Sequence, residues 1–287
     1  MRRRDFMLGA AILPFGAGMA RAQDATDTYM QEQERALTAR IGVCVQNLAT
    51  GQVYQHRGEE RFAMCSTFKA TLAALCLREA DRGALDLDEK LAFRGSELLP
   101  TSPVTKRHAE AGKLDIRSLC QAAVEYSDNT AANLLLARVG GPAAVTQFFR
   151  DMGDPTSRLD RIEMALNSNI SGDERDTTTP LAMAQNVRRM TMPRGILSDG
   201  SREHLVDWMR NEQNAKNRIR SAVPSDWVVA NKPGTTPNGA ANDIAALWSP
   251  EGTPFVMSVY IGTEKGQARA AVEAIRGIAE VALTKVL

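Results

Sequence analysis

The pattern of apolar and polar positions splits the chain into two strand-like ends and a helical middle. "RIGVCVQNL" and "QVYQHR" flank Ala49-Thr50-Gly51, which predicts two strands joined by a turn. Strand-like runs return only towards the other end, in "WVVANKPGT", "NDIAALWSP" and "TPFVMSVYIG", separated by turn residues such as Pro250-Glu251-Gly252. From Ser66 to about Arg210 the spacing is helical, as in "TFKATLAALCLREADRG", "IRSLCQAAVEYSD", "NTAANLLLARVGG" and "TPLAMAQNVRRMTM". Asp128 to Thr130 and Thr177 to Pro180 are helix-start residues. Amphipathic helices are predicted over residues 24–39 and over "GQARAAVEAIRGIAEVALTKVL". The fold class is therefore α/β (α+β). Residues 23–62 and 212–287 form one sheet domain with terminal helices, and residues 63–211 form an inserted all-helical domain. A cleft between two such domains favours a small ligand.

Charge and leader narrow the picture. Of the 287 residues, 35 are Lys or Arg and 34 are Asp or Glu, so nothing electrostatic points to nucleic acid or an anionic membrane. His56, His108 and His204 are scattered and no Cys-x-x-Cys occurs, so neither a metal nor a cofactor is expected. "MRRRDFMLGAAILPFGAGMARAQ" places positive charge before a short apolar run and the small-x-small site Ala20-Arg21-Ala22. That is an export signal over residues 1–22, and it implies a periplasmic or secreted protein with no stable membrane association after cleavage. Arg3-Arg4-Asp5-Phe6-Met7 resembles the twin-arginine type, with a general secretory signal as the alternative. Twin-arginine export carries proteins already folded in a reducing compartment, so Cys44, Cys65, Cys76 and Cys120 are read as buried thiols.

The chemistry is carried by three short motifs. Ser66-Thr67-Phe68-Lys69 opens a predicted helix, so serine and lysine lie one turn apart at its positive end. Backbone N–H groups there can hold an oxyanion, and a lysine whose neutral form is accessible can accept the hydroxyl proton. Alone, Ser-x-x-Lys is a weak signal. Ser127-Asp128-Asn129 at a helix junction and Lys232-Pro233-Gly234 at a strand end change that. Ser-x-x-Lys, Ser-Asp-Asn and Lys-Thr-Gly in this order are the signature of class A β-lactamases and penicillin-binding proteins. The mature chain resembles class A serine β-lactamases, of the penicillin-recognising active-site serine enzymes, throughout. "TSPVTKRH" and "ERDTTTP" resemble the same family.

Within Arg161-Ile162-Glu163-Met164-Ala165-Leu166-Asn167, Glu163 and Asn167 are four apart, so a helical turn would set carboxylate beside carboxamide. Together they can hold one water, with the carboxylate as general base. Penicillin-binding proteins lack this element. The resemblance implies a β-lactamase/transpeptidase-like fold with an antiparallel sheet, and a monomer hydrolysing penicillins and cephalosporins, with carbapenems as a further class. It implies Ser66 as nucleophile, Lys69 and Glu163 as proton acceptors, and Ser127 as the relay to the leaving nitrogen. Asn129 and Asn167 would contact substrate and water, Lys232, Thr235 and Arg218 the substrate carboxylate. The N–H groups of Ser66 and Thr235 would form the oxyanion hole, and Arg161 and Asp176 an ion pair closing the loop.

Departures from the family pattern are informative. Pro233 replaces the usual hydroxyl residue. Ala241 stands where many relatives carry an arginine, and Arg218 matches the alternative one found in carbapenem-hydrolysing members among others. Thr101 replaces a cleft aromatic, Thr236 the cysteine that would bridge Cys65, and Ala73 the family partner of Cys120. A Cys76–Cys120 pairing is left open. Two rivals share the nucleophile: a D-alanyl-D-alanine peptidase, against which Glu163 and Asn167 argue, and a non-catalytic β-lactam sensor, which would normally be tethered to a membrane or output domain.

Overall fold

The computed structural model describes residues 17–287, with side chains from Ala25 onward. The arginine pair and most of the apolar run of the expected export signal lie outside the described residues. Five strands form one antiparallel sheet: β1 (Arg40–Asn47), β2 (Val53–His56), β3 (Val228–Thr236), β4 (Ala240–Trp248) and β5 (Pro254–Gly262). Their spatial order is β2-β1-β5-β4-β3, so the two ends of the chain meet at the β1–β5 pair, in register from Arg40↔Gly262 to Asn47↔Phe255. Strand alternation then sends side chains to two separate cores. Val43, Val45, Met257 and Val259 pack with Ile275 and Ile278 of a C-terminal helix (Ala268–Leu283). Cys44, Ile244, Val256 and Tyr260 point the other way, into the core of the central helices.

The N-terminal helix α1 (Ala17–Leu37) packs against the C-terminal helix, and the longer central helices are α2 (Phe68–Asp81), α3 (Ile116–Glu125), α4 (Asn129–Val139), α5 (Pro142–Asp151), α6 (Pro180–Thr191) and α7 (Asp199–Arg210). Every residue of α2 from Phe68 to Arg78 is buried, which is why its sequence is apolar all round rather than striped. A fully buried leucine or phenylalanine such as Leu72 or Phe68 contributes about 1.5–3 kcal/mol each. The predicted start signals hold: the Asp128 side chain accepts from Ala131 N–H, and Thr179 from Ala182 N–H ahead of Pro180. The N-terminal helix differs from expectation at both ends, beginning by Ala17 and stopping at Leu37, where Thr38 takes a left-handed φ of 48°. All four cysteines are buried free thiols.

Candidate active site

Ser66 does not open an α-helix directly. Cys65–Thr67 form a 3-10 turn, and α2 begins at Phe68. The turn is anchored by the Thr67 hydroxyl, which donates to Met64 O at 2.8 Å and meets the Tyr260 hydroxyl at 3.0 Å. Behind it runs β3. A Cβ on Gly234 would lie 2.9 Å from Met64 O and 3.1 Å from Ser66 N, so only glycine lets the strand and the Ser66 turn approach this closely. Lys69, fully buried, donates from Nζ to Ser127 O at 2.8 Å and to Asn129 Oδ1, and reaches Glu163 Oε1 at 2.9 Å. Burial pushes the Lys69 pKa down, against the opposing pull of the Glu163 carboxylate.

The junction before α4 supplies the second wall. Asp128, fully buried, caps α4 and also accepts from the Val104 and Thr105 N–H groups at 2.9 Å each, tying this loop to the preceding one. Ser127 is thereby held at a left-handed φ of 57°, uncommon for a non-glycine residue. Its hydroxyl accepts from Lys232 Nζ at 3.2 Å, and that ammonium also donates to Pro233 O at 3.1 Å. Burial depresses the Lys232 pKa to about 7.

The third wall corrects the sequence reading. Glu163 to Asn167 is not a helical turn; the Glu163–Met164 peptide is cis and only Ala165–Asn167 forms a 3-10 turn. The two side chains still meet, Asn167 Nδ2 donating to Glu163 Oε2 at 2.7 Å. Adjacency comes from long-range ties instead. Asn133 of α4 accepts from Glu163 N–H and donates to Glu163 O, both at 2.9 Å. Arg161 Nε donates to the buried Asp176 carboxylate, which also accepts from the N–H groups of Asp160 and Arg161 at 2.7 and 2.9 Å. The ion pair expected to close the loop is thus formed. Glu163 and Asn167 Oδ1 are buried, and among the described residues Asn167 Oδ1 has no hydrogen-bond partner.

β3 forms the floor at the open edge of the sheet, with β4 as its sole neighbouring strand. An edge is where proline is tolerated, because half the backbone groups face no strand. Arg218, expected from the resemblance to contact the substrate carboxylate, is buried against β3. Its Nη1 donates to Gly234 O at 3.2 Å and Asn242 O at 2.6 Å, and its Nη2 to the Thr235 hydroxyl at 2.7 Å. Burial lowers its pKa. Ser66, Ser127, Asn129, Asn167, Arg218 and Thr235 line one cleft of about 330 Å³, with Lys69, Glu163 and Lys232 immediately behind these walls.

The motif search missed Asn133 and Met164. The signal for Asn133 was one amide inside the apolar run of α4, a turn beyond Asn129. Met164 lines the cleft and accepts from Asn129 Nδ2 at 3.0 Å, while the same amide donates to Pro100 O at 2.8 Å. Nothing local in the sequence marks that contact.

A half-buried serine lining a cleft in front of a buried lysine–carboxylate pair, between an antiparallel sheet and a helical layer, is an arrangement for acyl transfer, and the chain belongs to the β-lactamase enzyme family, whose model matches residues 25–286. Within that family it is a class A serine β-lactamase, a hydrolase. It is 36% identical over 282 residues to β-lactamase OXY-1 of Klebsiella oxytoca, covering 97% of this chain and 96% of the relative. Against β-lactamase L2 of Stenotrophomonas maltophilia it is 42% identical over 262 residues, 88% and 86% of the two chains. The solved structure of the class A β-lactamase from the last common ancestor of Gram-negative bacteria (GNCA4) superposes with a TM-score of 0.85 at 44% identity, covering 91% of this chain and 98% of the other.

Proposed function

We propose that the enzyme hydrolyses penicillins and cephalosporins through an ester on Ser66 that a water activated by Glu163 releases. The observation that carries this is the Glu163 carboxylate, shared between Lys69 Nζ at 2.9 Å and Asn167 Nδ2 at 2.7 Å. Ser66 Oγ attacks the β-lactam carbonyl carbon, and its proton passes to the Lys69–Glu163 pair. The oxyanion meets the backbone N–H groups of Ser66 and Thr235. The C–N bond breaks as Ser127 hands a proton to the ring nitrogen, resupplied through the lysines on either side of it. Asn129 receives the substrate's side-chain amide. Lys232, the Thr235 hydroxyl and Arg218 hold its carboxylate. Water then adds to the ester carbonyl, Glu163 takes the water proton, and Ser66 leaves and regains its own.

A D-alanyl-D-alanine peptidase or a sensor would share acylation but not rapid release. Incubation of the purified enzyme with a chromogenic cephalosporin separates them. Many equivalents should be hydrolysed per enzyme, and Ser66→Ala should abolish turnover. A single stoichiometric burst by the wild-type enzyme would overturn the proposal.

A further inference from the structure

Glu163 and Asn167 sit on a loop with little helical support, yet their side chains must keep a fixed separation to share one water. Glu163 has its own anchor in Asn133. Asn167 is held from the opposite side of the cleft. Its backbone carbonyl accepts two hydrogen bonds, from the Thr236 hydroxyl at 3.0 Å and from Asn238 Nδ2 at 2.9 Å. Both donors belong to the end of β3 and the turn that follows. Thr236 is buried, and its hydroxyl oxygen in turn accepts from Asn238 N–H at 3.2 Å. The loop answers with Asn169 Nδ2, which donates to Asn238 O at 2.9 Å. Gly239, at φ 91°, turns the chain where a Cβ would lie 2.3 Å from Thr263 O, and so keeps Asn238 facing the loop. Between the two anchors Met164 and Ala165 are exposed, while Leu166 is buried in the helical core.

We infer that Thr236 and Asn238 are positioning residues for deacylation: they latch the Asn167 backbone to the substrate-binding strand and so set the Asn167 side chain against the Glu163 carboxylate. The inference rests on the assignment of that pair to water activation. Acylation uses Ser66, Lys69, Ser127 and the Glu163 carboxylate, which keeps its own anchor in Asn133 and its contact with Lys69, so these groups are held independently of the latch. Loss of the latch therefore displaces Asn167 first and slows release more than formation of the ester.

The experiment measures both steps separately with a penicillin, acylation by rapid-quench mass spectrometry and ester decay by intact mass after removal of free substrate. Thr236→Val keeps the shape and removes the donor, and Thr236→Val/Asn238→Ala removes both donors. Two hydrogen bonds of ordinary strength correspond to roughly tenfold slower decay in the double variant, several-fold in the single one. Acylation should stay within about twofold of wild type, and Thr236→Ser, which keeps the hydroxyl, should decay like wild type. Unchanged decay in the double variant, or acylation and decay falling together, would overturn the latch. Glu163→Gln run in parallel separates the two readings. If its ester decays at the wild-type rate, the base assignment itself fails; a slow Glu163→Gln ester beside unchanged decay in the latch variants overturns the latch alone.

Discussion

Lys232 and Arg218 are two buried cations serving one small cleft, and burial weakens the charged form of each. For Lys232 the consequence is a pH dependence. The free enzyme carries the ammonium below about 7 and loses it as pH rises through that value, so kcat/KM for a carboxylate-bearing substrate should fall on the alkaline side. Lys232→Arg should remove that limb, because a guanidinium stays charged; a pH profile of both enzymes decides it. Pro233 makes Arg218 more important, since the hydroxyl usual beside the lysine is absent and Arg218 instead polarises the Thr235 hydroxyl. A hydrogen bond to a charged group is worth roughly 1.5–3 kcal/mol, so Arg218→Ala should lower kcat/KM about tenfold or more. Pro233→Thr should partly rescue it, a coupling that a double-mutant cycle measures. Strict additivity would show that the two positions do not share the carboxylate. At this scale Ser66, Lys69, Ser127 and Lys232 were legible because three short motifs occur together in order. Asn133 and Thr236 were not, because their partners lie 30 and 69 residues away and nothing in their own neighbourhoods marks the contact.

Among the elements, the Ser66 turn and β3 are packed to the limit. Gly234→Ala would place a methyl 2.9 Å from Met64 O, and backbone must shift to admit it. The strand and Ser66 should separate, so kcat/KM should fall by about tenfold or more with a much smaller change in Tm; full activity in the alanine variant would contradict the close-approach account. The loop carrying Glu163 teaches the opposite lesson about reading spacing. Four residues apart is the helical interval, and the side chains do meet, but through a clamp from Asn133 and an ion pair at Asp176 rather than a helix. Local periodicity gave the right neighbours for the wrong reason. The helices themselves read well where caps were explicit, as at Asp128 and Thr179-Pro180.

Over the whole molecule, strand-like ends and a helical middle were visible in the apolar pattern, but the order β2-β1-β5-β4-β3 was not. That order depends on pairing residues more than two hundred positions apart, such as Arg40 with Gly262, which no local pattern encodes. It matters for function because it puts β3 on the open edge, facing the helical layer across the cleft. One assembly then brings Ser66, Ser127 and Glu163 together from three distant segments. The most direct test of that assembly is intact-protein mass spectrometry of Glu163→Gln after mixing with a penicillin. The account predicts a stoichiometric adduct on Ser66 that persists long after the wild-type enzyme has cleared its substrate; an adduct that decays at the wild-type rate would contradict it.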